Sequence, residues 1–326
     1  SRMTHAIVVH KVGGPDDLSW EEVEVGEPGP GQARIRHTAV GLNFIDTYFR
    51  TGLYKAPSLP FIPGNEGAGV VEAVGEGVEL VAPGDRVAYA GTLGGYGEAR
   101  LIEADRLVKV PDGVDDRTAA GMMLKGMTAR YLLRRTFNVT AGTTILFHAA
   151  AGGVGLIAGQ WAKHLGATVI GTAGSPEKIE LAKAHGYDHV INSRTENFVE
   201  RVKEITGGRG VDVVYDSVGH DTYPASLDCI RRLGMWVPFG QSSGPIKNFD
   251  LQILNQKGGL FTTRPTLFHY VAERADLEET ANDLFGLVAS GAVKIRVNQE
   301  YALRDAGQAQ TDLENRKTTG TTVLIP

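Results

Sequence analysis

Apolar and polar positions change their period part-way along the chain. From Thr143 to Phe239, short apolar runs alternate with amphipathic stretches. The runs Thr144–Phe147, Thr168–Thr172, His189–Asn192, Val211–Asp216 and Met235–Phe239 read as buried strands. Between them the pattern predicts helices. Val154, Ile157, Trp161 and Leu165 share one stripe, Pro176–His185 follows the second run, and Phe198, Val199, Val202 and Ile205 share a face that Gly207-Gly208 ends. Such alternation makes right-handed βαβ units and a parallel sheet.

Ahead of this region the runs are shorter and broken by turns. Ala33–Arg36 alternates in character, while Gly69-Val70-Val71 and Arg86–Tyr89 are compact apolar pieces. Gly13-Gly14-Pro15, Pro28-Gly29-Pro30-Gly31, Pro63-Gly64 and Pro83-Gly84-Asp85 punctuate them, predicting a β-rich unit. Residues 118–135 read as helical. Beyond Arg264 a helix carries Ala281, Leu284, Phe285 and Val288 on one stripe and stops at Ser290-Gly291. A short helix near Asp305–Asn315 and a strand at Thr321–Ile325 follow. This tail is expected to return to the first unit, with a cleft between two domains as the default site.

Composition narrows the functional classes. The chain has 326 residues, 42% hydrophobic and 22% charged, the balance of a soluble globular protein with room for two cores. Its 33 Lys and Arg against 38 acidic residues leave a formal charge of −5. With no basic run, neither nucleic acid nor an anionic membrane is an expected partner. No apolar stretch approaches the roughly 18 residues of a membrane span. No charged-then-apolar leader opens the chain, and Ser1-Arg2 ahead of Met3 reads as an expression remnant. The single cysteine, Cys229, rules out an internal disulfide and a multi-cysteine zinc site. Set among Leu227, Ile230 and Leu233, it reads as a core residue rather than a reactive thiol. These features predict a cytoplasmic protein.

The segment His148-Ala149-Ala150-Ala151-Gly152-Gly153-Val154-Gly155 lies between the first of the alternating strands and its helix. Ala150, Gly152 and Gly155 match the Ala-x-Gly-x-x-Gly form of a pyrophosphate-binding turn, in which small residues let the diphosphate approach the backbone and the helix N-terminus presents N–H groups to it. In NAD-binding turns an acidic residue near the end of the second strand holds the ribose 2′-hydroxyl. Here that stretch reads Gly171-Thr172-Ala173-Gly174-Ser175-Pro176-Glu177-Lys178, with no carboxylate at the strand end. Lys178, assisted by Ser175 and Arg194, is placed to meet a 2′-phosphate, so NADPH is the expected cofactor. The alternatives are a solvated Lys178 and a Glu177 turned toward a hydroxyl.

The chain resembles the quinone oxidoreductases of the ζ-crystallin type, zinc-free members of the medium-chain dehydrogenase/reductase superfamily. The resemblance runs end to end, through Gly13-Gly14-Pro15, Gly41 to Tyr48, Gly64-Asn65-Glu66-Gly67-Ala68-Gly69, Leu124 to Ala129, Ala150 to Gly155 with Gln160 and Lys163, and Tyr215 to Gly219. It implies an α/β fold: a GroES-like β-rich catalytic domain over 1–125, completed by 265–326, and a doubly wound Rossmann domain over 126–264. It also implies NADPH and a homodimer or higher assembly built on the coenzyme domains. Matched position by position, the cofactor contacts fall on Asn43, Asp46 and Tyr48, on Thr128 near the nicotinamide, and on Gly153 and Val154 at the pyrophosphate, beside the Gly152 and Gly155 of the turn motif. Gly174, Ser175 and Lys178 surround the adenosine phosphate. Phe239, Gly240, Gln241 and Ser242 follow the last wound strand, and Arg264 and Arg316 approach from the tail side. Close relatives often carry a tyrosine where Ser193 stands, which shifts weight onto Lys178 and Arg194.

Zinc alcohol dehydrogenases of that superfamily place a cysteine at Asn43 and a histidine at Asn65, and neither asparagine is a usual zinc ligand. The nine histidines show no paired ligand spacing. Without a Lewis acid, simple ketones and alcohols are difficult substrates. A quinone or enone needs less help, since hydride addition gives a delocalised anion that solvent protonates. Asn43, Tyr48 and Tyr54 are the candidate donors to the acceptor oxygen, the tyrosines reading equally as packing residues. NADPH-dependent quinone reduction is the leading expectation. Reduction of enone or alkenal double bonds is the alternative, with a cofactor-linked structural or RNA-binding role as a third class.

Overall fold

The computed structural model describes residues 3–326; Ser1 and Arg2, read as a remnant, lie outside the described residues. In chain order the strands β1 (Met3–Val8), β2 (Ser19–Glu24) and β3 (Gln32–Gly41) precede the helix α1 (Phe44–Thr51). Then come β4 (Glu66–Val74), β5 (Arg86–Ala90), β6 (Ala99–Glu103), β7 (Val108–Lys109) and α2 (Asp116–Tyr131). The alternating region follows as β8 (Thr144–Phe147), α3 (Gly153–His164), β9 (Thr168–Ala173), α4 (Pro176–Lys183), β10 (His189–Asn192), α5 (Phe198–Ile205), β11 (Val211–Asp216) and β12 (Ile230–Pro238). The chain ends with α6 (Gln252–Gln256), β13 (Phe261–Thr262), α7 (Leu267–Tyr270), α8 (Arg274–Ser290), β14 (Val297–Ala302), α9 (Ala306–Glu314) and β15 (Thr321–Ile325).

Two compact units emerge. One takes in the residues up to Met127, Val271–Ala289 and Ile295–Pro326; the other takes in Thr128–Tyr270 and Ser290–Lys294. The division falls inside α2. The first unit holds a hairpin of β1 and β2 and a sheet in the order β14-β15-β3-β4-β5-β7, with β6 also paired to β3. The tail returns here: Val323 and Leu324 of β15 pair antiparallel with Gly41 and Val40 of β3. Ile35, Val71, Val87, Tyr89, Ile102 and Leu107 fill one core of this unit.

The second unit is built on a six-stranded sheet in the order β10-β9-β8-β11-β12-β13, all neighbours parallel. Numbered from its own first strand this is the order 3-2-1-4-5-6 of a doubly wound Rossmann sheet, with the switch point between β8 and β11. Each of the first five strands gives a side chain to one core: Leu146, Ile170, Ile191, Val214 and Trp236. Cys229 is buried in the same cluster, and burial pushes its thiol up to about 12, so it is a core residue.

The pattern reading does not mark α6, β13, α7 or β14, and it differs at two further elements. The strand expected from Met235 begins at Ile230. Arg231 and Arg232 interrupt the apolar run in its first half, and Leu233 beside them has φ 63 and an exposed side chain. The helix α1 was not predicted, although its signals are local. Asn43 precedes it in extended backbone, Asp46 reaches back to the Asn43 N–H, and Gly52 ends it with φ 85.

Candidate active site

The glycine turn follows β8 at the switch point. His148 N donates to Tyr215 O at 3.0 Å and Ala150 N to Thr172 O at 2.9 Å, which lays the turn across the ends of β11 and β9. The reversal itself falls on Ala149, with φ 55, rather than on a glycine. Gly152 is extended (φ −79, ψ 176) and precedes α3, where no side chain caps the helix. A Cβ at Gly155 would lie 2.5 Å from the carbonyl oxygens of both Ala149 and Ala150. One at Gly152 would meet only Ala149 O, at 3.2 Å. Gly155 therefore lets the helix close on the turn, while Gly152 leaves an open cradle before uncapped N–H groups.

The end of β9 supplies the neighbouring groups. Ser175 caps α4, its hydroxyl accepting from Lys178 N at 3.3 Å. Ser193 N donates to Ala173 O at 2.9 Å, and a Cβ at Gly174 would lie 3.4 Å from Arg194 Nε and 3.7 Å from Ser193 Oγ. Gly174, Ser193 and Arg194 thus come together, with Ser175 and Lys178 in the adjoining first turn. The strand end itself carries no carboxylate; Glu177 begins only inside α4. Open cradle, uncapped helix and basic strand end fit a dinucleotide bearing an extra phosphate.

The segment Phe239–Ser242 is pinned to the end of β11. Phe239 N donates to Asp216 O at 2.9 Å and Ser242 N to Ser217 O at 3.0 Å. Arg264, matched from the tail side, donates instead to Phe239 O at 3.1 Å and belongs to the coenzyme unit. Arg316 follows α9 in the other unit. Beneath the loops lies a network that pattern reading did not find. Buried Asp216 accepts from Val218 N, Gly219 N and Thr222 Oγ1, and Ser226 Oγ bridges it to His148 Nε2 at 2.9 Å. His148 Nδ1 meets Thr172 Oγ1 at 3.0 Å. Burial holds this imidazole below its ordinary range, against the opposing pull of Asp216.

In the first unit the start of α1 organises two buried carboxylates. Asn43 Nδ2 donates to Glu66 Oε1 at 2.9 Å, and Asn43 N to Asp46 Oδ2 at 3.0 Å. Asn65 Nδ2 donates to Asp46 Oδ1 at 2.9 Å and Tyr96 OH to Asp46 Oδ2 at 2.6 Å. Burial raises Asp46 to about 6 in spite of these donors and of nearby Lys125. Tyr96 is joined through Gln310 to Arg50, which pairs with Glu314 at 2.7 Å. Tyr48 and Tyr54 come together with ring centroids 5.2 Å apart. Thr128 is buried in α2. Among the described residues, no group of three or more His, Cys, Asp or Glu side chains is arranged to hold a metal ion. Asn65, Glu66, Tyr96 and Lys125 were named in motifs or passed over; their meeting depends on contacts far apart in sequence.

Known proteins match this architecture closely. Residues 29–112 match the alcohol dehydrogenase GroES-like domain, and residues 153–284 match the zinc-binding dehydrogenase family. A quinone oxidoreductase of Pseudomonas aeruginosa is 52% identical over 96% of this chain and 97% of its own. A 2-haloacrylate reductase of a Burkholderia species is 48% identical over 99% of each. The crystal structure of Escherichia coli quinone oxidoreductase complexed with NADPH superposes with a TM-score of 0.97 at 49% identity, covering 99% of this chain and 100% of that one. With its GroES-like and Rossmann-like domains, the chain belongs to the quinone oxidoreductases of the medium-chain dehydrogenase/reductase superfamily.

Proposed function

We propose that this protein reduces quinones with NADPH and without zinc. The observation that carries the reading is the use made of Asn43 and Asn65. Their amide nitrogens donate to Glu66 and Asp46, so hydrogen-bond donors stand where zinc alcohol dehydrogenases carry ligands. The names of the relatives at about half identity, and the NADPH complex of one of them, support the acceptor and cofactor classes.

In this reading Gly152, Gly153, Val154 and Gly155 receive the pyrophosphate. Gly174, Ser175, Lys178, Ser193 and Arg194 hold the adenosine phosphate. Thr128, Phe239, Gly240, Gln241, Ser242 and Arg264 are the remaining cofactor contacts of the coenzyme unit; Asn43, Asp46, Tyr48 and Arg316 are those assigned to the first unit. NADPH supplies a hydride from its nicotinamide ring. The chain's own task is to orient the acceptor and stabilise the anion left on its oxygen. Asn43 has a second amide hydrogen beyond the one given to Glu66, and Tyr48 and Tyr54 add hydroxyls. Solvent then protonates the hydroquinone anion.

We further propose a homodimer formed through the coenzyme unit. Its sheet is open on the β13 side, where Phe261 is 59% exposed, and an open strand edge is a template for pairing with a second copy. A cytoplasmic setting is supported by the lone, buried cysteine.

The second reading, reduction of an activated carbon–carbon double bond, is favoured by the relative named 2-haloacrylate reductase. A paired assay of 1,4-benzoquinone and a 2-alkenal, with NADPH or NADH and with or without chelator, tests both. The expected result is a higher kcat/KM for benzoquinone with NADPH, unchanged by chelation. A larger kcat/KM for the alkenal transfers the function to the second reading, and loss of activity on chelation overturns the zinc-free mechanism.

A further inference from the structure

Lys125 is 4% exposed and Glu66 fully buried, with Lys125 Nζ 3.0 Å from Glu66 Oε1. The same oxygen receives Asn43 Nδ2 at 2.9 Å, and the other carboxylate oxygen receives Leu124 N at 2.7 Å. Asn43 is thus joined to the ammonium through one shared oxygen. Such a buried pair is costly to form, and a well-packed apolar pair of similar volume would often serve stability as well. Stability alone therefore does not account for Lys125.

A carboxylate only accepts hydrogen bonds, so it faces the nitrogen of the Asn43 amide and turns the amide oxygen away. A protonated Glu66 would be able to donate, and would then favour the reversed amide, oxygen inward. Without a cation beside it, a buried carboxyl favours the protonated form. We propose that Lys125 is a positioning residue for acceptor reduction. Its ammonium keeps Glu66 an obligate acceptor, and so fixes which end of the Asn43 amide is presented for chemistry. The inference rests on the role given to Asn43 above.

The surroundings of the pair define the controls. Asp46 on α1 senses Lys125 and lies one hydrogen bond from Asn43 N. Tyr89 on β5 senses Glu66 and contacts Arg100 on β6 and His37 on β3. Tyr96 donates to Asp46, and Asn65 just before β4 does the same. Of these, Asp46 is the group whose titration could produce a separate pH effect beside Asn43.

The test compares Lys125→Met, Lys125→Gln and the double variant Glu66→Gln/Lys125→Met with wild type. Lys125→Gln keeps a donor toward Glu66 and removes only the charge, so the test stands if the Met variant fails to fold. Readouts are the pH profile of kcat/KM for 1,4-benzoquinone and a 2-alkenal, the Kd for NADPH, and the Asn43 side-chain amide signals in protein labelled with nitrogen-15 at asparagine. At neutral pH the single variants should lose about tenfold in kcat/KM, recovering as pH rises, with Kd for NADPH within about twofold of wild type. The Asn43 amide signals should titrate with the same midpoint and stay constant in wild type. In the double variant the carboxyl of Glu66 is replaced by an amide that cannot titrate, so the loss should become independent of pH. Wild-type pH profiles in both single variants overturn the proposal. So does a pH limb that survives in the double variant, which would belong to Asp46. Failure of wild type on both acceptors would overturn the quinone reading instead, while the Asn43 amide titration still decides the role of Lys125.

Discussion

Gly152 and Gly155, three residues apart in the turn, should fail in different ways when each is given a methyl group. In Gly155→Ala the new Cβ would lie 2.5 Å from Ala149 O and Ala150 O, and 2.8 Å from the Ala150 carbonyl carbon. Comfortable C···O contacts begin near about 3.3 Å, so helix or turn must yield by about 0.8 Å. Neither side moves alone. Ala150 N is held by Thr172 O at 2.9 Å, and Gly155 O accepts from Tyr187 OH at 2.7 Å. Overpacking of this kind costs about 1–3 kcal/mol, or about 2–12 °C in Tm for a domain of this size. Gly152→Ala meets one carbonyl oxygen, at 3.2 Å, and its φ of −79 suits alanine. Its unfolding free energy should stay within about 1 kcal/mol of wild type. Its methyl, however, occupies the open side of the cradle, and NADPH affinity should fall about tenfold or more, equivalent to at least about 1.4 kcal/mol. Thermal unfolding without cofactor and fluorescence titration with NADPH measure the two effects. The reasoning is refuted if Gly155→Ala melts with wild type, if Gly152→Ala binds NADPH normally, or if both variants lose the same stability.

Three further outcomes follow from the same geometry. Lys178→Glu should raise KM for NADPH about tenfold while changing KM for NADH by less than about twofold, as steady-state kinetics with each cofactor will show. Equal effects on the two would remove Lys178 from the phosphate site. Tyr54→Phe should lower kcat/KM for benzoquinone about three- to tenfold without changing the Kd for NADPH; an unaltered kcat/KM makes Tyr54 a packing residue of the Tyr48 and Phe49 cluster. His37 is held down at about 3, by burial first and then by Arg100, so the folded protein stays unprotonated where the unfolded chain, with a value near 6.5, takes up a proton. Its contribution is complete above the unfolded value and is lost as pH falls toward 3, at up to about 1.4 kcal/mol per pH unit. Asp46, raised to about 6, acts with the opposite sign, its contribution being lost as pH rises through that value. Urea unfolding at several pH values should show that His37→Gln flattens the acid limb by about one proton; an unchanged slope would show that His37 does not supply it.

Much of the architecture was legible along the chain because the signals are local. The runs Thr144–Phe147, His189–Asn192 and Val211–Asp216 are strands at those bounds, and Phe198–Ile205 is a helix. Parallel strands covered on both faces must be apolar throughout, and their helices must be amphipathic, so each element announces itself within a few residues. Arg231, Arg232 and Gly234 hid the start of β12, because two charged residues and a glycine break the apolar run that marks a buried strand.

Local pattern therefore determined the wound sheet, the place of its glycine turn and the lack of a carboxylate at the end of β9. The resemblance to zinc alcohol dehydrogenases, rather than the pattern itself, singled out Asn43 and Asn65 as poor metal ligands. It did not say what those asparagines do. Folding joins Asn43 to Glu66, Glu66 to Lys125, Asp46 to Tyr96 and Arg50 to Gln310, pairs separated by 23, 59, 50 and 260 positions. Buried polar groups must find partners wherever the packed chain brings them, and that requirement leaves no period in the sequence.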